Sequence, residues 1–196
     1  MMAAMMFPAL APTVALYARM TKERAPLSPL LFTAGYLIVW SAVGVLAFGV
    51  AWLAGDVLAW DRAGRWIAGG ILVAAGIYEF TPLKDVCLGK CRSPLGFLLG
   101  AWRDGRAGAL RMGAEHGGWC VGCCWALMAS LFALGVMSIA WMACIAALIA
   151  LEKTLPWRRP ATYGTAAILL LLGILVLAAP DAVPGLTIPA PMAMPA

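Results

Sequence analysis

Residues 166–177 read Ala-Ala-Ile-Leu-Leu-Leu-Leu-Gly-Ile-Leu-Val-Leu, the plainest apolar run in the chain. A helix needs about 20 mostly apolar residues to cross a bilayer, and the segment 161–179 around this run is long enough. The whole chain is 64% hydrophobic and 12% charged, with a mean hydropathy of +0.91. Soluble domains carry about 45–50% apolar and about 25% charged residues. We therefore expect an all-α, polytopic integral membrane bundle.

Six apolar segments are predicted to span the lipid bilayer, and together they form one transmembrane domain over residues 1–196. These segments are 1–17, 30–54, 66–80, 118–137, 139–151 and 161–179. Residues 79–117, called here the working loop because they include the first cysteines of the motifs, are expected to hold short interfacial helices, one opened by Pro94 and one over 107–114. Gly117 and Gly118 are expected to loosen the start of the fourth span. The tail 180–196 is rich in Pro and Ala and is predicted to be irregular.

The basic residues set the orientation of this arrangement. Of the 14 lysines and arginines, 12 fall in the loops after spans one, three and five, and only Arg62 and Arg65 lie opposite. Positively charged loops stay in the cytoplasm, so both termini are expected to face outward. The first apolar segment has its charges after it rather than before it, which favours a span over a cleavable signal. The net charge of +5 therefore reflects topology and indicates no nucleic-acid partner.

Five of the six cysteines and the only histidine lie in and just after the working loop. They are Cys87, Cys91, His116, Cys120, Cys123 and Cys124. Positions i, i+4 and i+7 share one helix face, and His116, Cys120 and Cys123 have that spacing, with Cys124 at the edge of the stripe. Cys87 and Cys91 are four residues apart, so one helical turn aims both sulfurs the same way. The two faces are predicted to meet.

These six residues are predicted to bind a metal ion. Thiols on the cytoplasmic side stay reduced, and sulfur ligands select copper(I), zinc or iron–sulfur clusters. Eleven methionines favour copper(I). Six ligands exceed the four of a tetrahedral site, which suits either one site with spare ligands or a transfer path. The nearby cations are expected to favour the thiolate forms: Lys84, Lys90, Arg92 and Arg111.

Other sulfur and charged residues have simpler interpretations. Cys144 is expected to be a packed apolar residue of a spanning helix. The methionines at positions 1, 2, 5 and 6 are interpreted as helix filler, and Glu152-Lys153 as a charge pair at a helix end. With one histidine and no nucleophile elbow or phosphate-binding loop, an enzyme is the less favoured class.

The cysteine motifs carry a family resemblance. Residues 81–95, with Thr-Pro-Leu-Lys and Cys-Arg-Ser-Pro-Leu, and residues 108–128, with His-Gly and Gly-Cys-Cys-Trp-Ala-Leu-Met, resemble a bacterial family of predicted metal-binding integral membrane proteins with a domain of unknown function. The resemblance extends over nearly the whole chain. It implies a polytopic helical protein of the bacterial inner (plasma) membrane and the same six Cys and His residues as the binding set.

Three functions remain open. The first is copper(I) binding, handling or delivery, with a membrane or soluble metal-handling partner or a homo-oligomer. The second is a membrane thiol–disulfide oxidoreductase, in which Cys87/Cys91 and Cys123/Cys124 exchange electrons; the absence of a C-x-x-C pair on the outward side disfavours it. The third is a structural subunit of a larger membrane complex.

Overall fold

Eight α-helices make up the fold of the computed structural model, which describes residues 2–21, 26–53, 62–134, 138–155 and 158–178. They are α1 (Met2–Thr21), α2 (Ser28–Leu53), α3 (Arg62–Tyr78), α4 (Pro82–Arg92), α5 (Pro94–Gly100), α6 (Gly105–Leu134), α7 (Ile139–Thr154) and α8 (Arg158–Ala178). Within the described ranges there is no strand, so the all-α prediction is confirmed. The tail 180–196 and the basic residues Lys22 and Arg24 lie outside the described residues.

Each of the six predicted spans corresponds to one long helix, α1, α2, α3, α6, α7 or α8. Of the described helices, two are by themselves long and apolar enough to cross a membrane, over Ser28–Val50 and Arg159–Ala178. A third crossing is formed if α3 and α4, which are bent by 70° at their junction, count as one span. The helical segments are thus observed, while the count of six spans stays a prediction.

The helix α4 begins with a capping threonine followed by a proline. The Thr81 side chain accepts a hydrogen bond from the Lys84 backbone N–H at 3.4 Å, and Pro82 occupies the first turn, as is usual at helix starts. A second proline, Pro94, opens α5, as predicted. The short helices α4 and α5 therefore fold the working loop back onto the bundle.

The helix α6 differs from the prediction of a separate helix over 107–114. It runs from Gly105, whose φ of 83° only glycine adopts readily, to Leu134 without a break. Gly117 does not interrupt the helix, and it faces α2 so closely that an added Cβ would lie 3.3 Å from the Tyr36 carbonyl oxygen. A methyl group on Gly113 or Gly35 would overlap a backbone carbonyl of the facing helix. These glycines bring α2 and α6 into close contact, as small residues do between membrane helices.

The core is formed where α6 is surrounded by α2, α3 and α4, and α3 packs on α8. Leu88, Leu127 and Leu131 are fully buried there. The outward faces of the long helices are apolar as well: Leu46, Phe48 and other large side chains of α2 are exposed. Only 22% of the apolar window of α2 and 33% of that of α8 is buried within the chain.

Candidate metal centre

Three cysteine sulfurs converge where α4 crosses α6. The Sγ atoms of Cys91, Cys120 and Cys123 lie within 4.8 Å of one another, and Cys91 Sγ is 3.7 Å from Cys123 Sγ. Metal–sulfur bonds of about 2.3 Å at tetrahedral or trigonal angles separate two ligand sulfurs by about 3.8–4.0 Å. The Cys91–Cys123 distance matches that spacing, and the Cys120 sulfur lies close enough to both to complete a set of three ligands, called here the thiolate trio. The predicted meeting of the two cysteine faces is observed.

The helix α4 presents its sulfurs through simple periodicity. Its buried residues are Lys84, Cys87, Leu88 and Cys91, which follow the i, i+3, i+4, i+7 spacing of one helix face. This face packs on α6. The Cys87 sulfur lies against the backbone of Gly122, where an added Cβ would approach it to 2.7 Å. Gly122 is further held by the Tyr78 hydroxyl, which donates to its carbonyl oxygen at 2.6 Å.

The helix α6 holds its three cysteines with their thiols turned back along the chain. The Cys123 and Cys124 thiols donate to the Cys120 carbonyl oxygen at 3.1 and 2.8 Å. All three residues are 2% exposed, so water is excluded from the sulfurs. Cys124 lies outside the thiolate trio, with its Sγ 3.9 Å from Met6 Sδ. Cys87 also lies outside the trio.

His116 is close to the cysteines in sequence but is not part of the trio. Its ring lies among three aromatic rings, with centroid distances of 5.9 Å to Phe32, 6.1 Å to Tyr36 and 4.8 Å to Phe97. Burial lowers the pKa of His116 to about 4, so the imidazole is neutral, the form that binds metals. Its Nδ1 is buried and has no hydrogen-bond partner among the described residues. The role of His116 as a ligand stays a prediction.

Two groups that the sequence analysis did not connect to the cysteines contact the Cys120 sulfur. Lys153 Nζ donates to Cys120 Sγ at 3.2 Å, and the Tyr36 hydroxyl lies 3.2 Å from the same atom. Lys153 sits at the C-terminal end of α7, and Tyr36 is on α2. Both residues are far from the cysteine motifs in sequence, and no spacing rule connects them to Cys120. The ammonium group of Lys153 favours a thiolate on Cys120 by charge.

Lys84, one of the four cations predicted to favour the thiolate forms, has other partners. Lys84 Nζ pairs with Glu79 and, at 2.8 Å, with Glu152 Oε2. All three residues are buried, at 0%, 2% and 2% exposure. Glu152 therefore forms a buried ion triad with the α3–α4 turn, whereas its neighbour Lys153 reaches the trio, and the prediction of a simple Glu152-Lys153 helix-end pair was wrong. The triad fixes the end of α7 beside α4 and so places Lys153 at the cysteines.

Arg111 and Cys144, which the sequence analysis also considered, have surroundings other than those expected. Arg111 pairs at 3.3 Å with Glu115, which also accepts from Arg103 at 2.9 Å, so Arg111 does not serve the thiols as expected. Cys144 is exposed on α7, not packed inside the bundle. It provides a cysteine outside the centre that is useful for comparison.

A family model described as PpoB2, copper chaperone, matches residues 1–176. The matched range contains the thiolate trio, Lys153 and the ion triad. No curated protein matches this chain, and no solved structure does.

Proposed function

Because this chain belongs to the PpoB2 copper-chaperone family, we propose that it binds copper(I) as cargo at the thiolate trio and passes it to an acceptor protein. The observation that carries the proposal is the convergence of Cys91, Cys120 and Cys123 within 4.8 Å. Thiolates are soft ligands that select copper(I) among the metals of a cell, along with zinc and iron–sulfur clusters. Burial of the three sulfurs protects the bound ion from water and oxidants.

The Lys153 ammonium offsets part of the negative charge of a loaded trio. Three thiolates and one copper(I) ion carry a net charge of −2, and Lys153 Nζ lies 3.2 Å from Cys120 Sγ. Buried charges are costly unless they are paired. A structural zinc site is usually closed by four strong ligands, whereas the trio supplies three within the described residues. Three sulfurs with an adjacent cation thus suit a carrier that must also release its ion.

The exposed apolar faces of the long helices support a membrane location, which is part of the proposal. The apolar outer faces of α2 and α8 suit lipid, and large apolar side chains such as Leu46 and Leu171 are exposed, at 69% and 64%. We propose six membrane crossings, with both termini outside and the trio near the cytoplasmic rim of a bacterial inner membrane, because 12 of the 14 basic residues then fall on one side. Reporter fusions at each terminus and after Arg103 test this topology. A cytoplasmic terminus would contradict it.

Copper(I) titration of the full chain in detergent micelles tests the function. Under anaerobic conditions, the chain is expected to withdraw one copper(I) ion from bathocuproine disulfonate. The Cys91→Ser/Cys120→Ser/Cys123→Ser variant is expected to lose this binding. Cys144→Ser, which removes an exposed cysteine of α7, is the matched control and is expected to bind as the parent does. Equal copper(I) binding by the triple variant and the control would refute the trio as the site.

Thiol–disulfide exchange is a second candidate, favoured by one contact. Cys91 and Cys123, on different helices, have sulfurs 3.7 Å apart, and a disulfide of about 2.05 Å requires only a modest approach. This pair differs from the expected Cys87/Cys91 and Cys123/Cys124 pairs. A redox enzyme would form the Cys91–Cys123 bond reversibly with a quinone or thiol partner while binding no copper(I). Peptide mass mapping after oxidation, beside the copper(I) titration, separates the two functions.

A further inference from the structure

A methionine near the start of α1 lies against two cysteines of α6. Met6 is fully buried, and its Sδ is 4.0 Å from Cys120 Sγ and 3.9 Å from Cys124 Sγ. Ligand sulfurs on one ion are separated by about 3.8–4.0 Å when each bond is about 2.3 Å. The two distances to Met6 therefore have the same spacing as the Cys91–Cys123 contact of the trio, although Met6 is more than 80 residues from Cys91 in sequence.

We propose that Met6, Cys120 and Cys124 form a second copper(I) site, called here the thioether site, which shares the Cys120 sulfur with the thiolate trio. The inference rests on the proposed function and deepens it by giving the ion a route through the bundle. Copper(I) moves from one site to the other by exchanging ligands around Cys120. Because Cys120 belongs to both sets, the ion remains bound to sulfur throughout the move.

The exchange balances without any redox step. The bonds from copper to Cys91 and Cys123 break as bonds to Cys124 and Met6 form, and the ion stays copper(I). The thiol proton of Cys124 is transferred to one of the cysteines that lets the ion go, which keeps the number of thiolates constant. Replacing a thiolate by the neutral thioether of Met6 weakens the hold on the ion, and thioethers remain soft ligands that select copper(I).

Cys120 is positioned for this shared role by contacts from two other helices. The Tyr36 hydroxyl of α2 and the Lys153 ammonium of α7 each lie 3.2 Å from its sulfur. These contacts hold in place the one sulfur that the trio and the thioether site have in common. The two sites therefore differ in their outer ligands and have one fixed ligand in common.

The full chain with Cys91→Ser and Cys123→Ser isolates the thioether site. This double variant is expected to bind one copper(I) ion more weakly than the parent in the anaerobic bathocuproine disulfonate competition. Adding Met6→Leu is expected to lower that remaining affinity by at least about tenfold, the lower end of the loss seen when even an indirect partner of a metal site is removed. The matched control is Met112→Leu, because Met112 is also fully buried and its sulfur already accepts from the Arg103 backbone N–H at 3.3 Å. Both Met→Leu changes nearly conserve volume and so preserve packing.

Carbon-13 spectra of the methionine methyl groups provide a second readout, recorded on the Cys91→Ser/Cys123→Ser chain because the tighter trio would otherwise take the ion. The spread of these signals before copper(I) is added shows that this variant is folded. The Met6 signal, assigned by its loss in Met6→Leu, is expected to shift on addition of copper(I), whereas the Met112 signal stays in place. An unmoved Met6 signal at copper(I) saturation overturns the thioether site, as does a double variant without any copper(I) binding. Either result leaves the trio intact if the parent chain binds copper(I). A parent chain that binds none refutes the proposed function itself.

Discussion

Replacing Lys153 by methionine tests whether a fixed positive charge stabilises the copper-loaded centre. The Lys153 ammonium lies 3.2 Å from Cys120 Sγ, and two unit charges at that distance attract by about 5 kcal/mol at an effective dielectric constant of about 20. Part of that attraction is offset by the cost of removing the ammonium from water. Loss of an indirect partner of a metal site lowers affinity by about 10–100-fold. We therefore expect Lys153→Met to weaken copper(I) binding within that range, which corresponds to about 1.4–2.7 kcal/mol.

The direction of the change in copper(I) affinity shows whether the ion or the thiolates carry the dominant charge of the site. A cation repels copper(I) itself, so Lys153→Met would tighten binding if the ion carried the dominant charge of the site. Because at least two thiolates accompany the ion, the loaded centre is anionic, and loss of the ammonium weakens it. Competition with bathocuproine disulfonate under anaerobic conditions measures the affinity directly.

Two further variants control for charge and length. Lys153→Arg keeps the positive charge and is expected to retain more affinity than Lys153→Met. Lys90→Met removes an exposed lysine of the same α4 helix that holds Cys91 and is expected to bind as the parent does. Unchanged affinity in Lys153→Met, or an equal loss in Lys90→Met, would refute the argument that the contact with Cys120 matters.

Two predictions concern stability in detergent micelles. Gly113→Ala places a methyl group on a carbonyl of α2 and is expected to lower the free energy of unfolding by about 1–3 kcal/mol, seen as a lower melting temperature by near-UV circular dichroism. The control Gly44→Ala, whose added methyl group meets nothing within 4 Å, should leave the melting temperature unchanged or raise it slightly. Equal effects of the two changes would contradict the close packing of α2 on α6. Lys84→Met leaves Glu79 and Glu152 buried without their cation and is expected to cost about 3–5 kcal/mol in denaturant titrations. Adding Glu79→Gln and Glu152→Gln should recover much of that loss, and a fully stable Lys84→Met chain would show that the triad is not ionic.

The helical segments were predictable because they depend on local composition. The helices α2 and α8 lie within a few residues of the predicted spans at 30–54 and 161–179, since long apolar runs leave little alternative to helix. The prolines at 82 and 94 start α4 and α5 for equally local reasons. The helix break expected near Gly117 is not observed, because the role of a glycine depends on its neighbours in the fold. In this bundle α2 packs so closely on α6 that a side chain at Gly113 has no room.

The candidate metal centre was predictable only in part. The four-residue spacing of Cys87 and Cys91, and the spacing of Cys120 and Cys123, correctly indicated two sulfur-bearing faces. Which sulfurs would meet depended on how α4 lies across α6. Cys91 approaches Cys123, while Cys87 is directed against Gly122.

The sequence by itself determined a helical, apolar chain with most of its cysteines and its histidine gathered in residues 87–124, because periodicity and composition act over a few turns of helix. Tertiary packing decided that Met6 of α1 and Lys153 of α7 reach Cys120, and that Lys84 turns to Glu79 and Glu152 instead. These contacts join residues tens of positions apart. They are set by the rotation and crossing of whole helices, which no local pattern in the chain encodes.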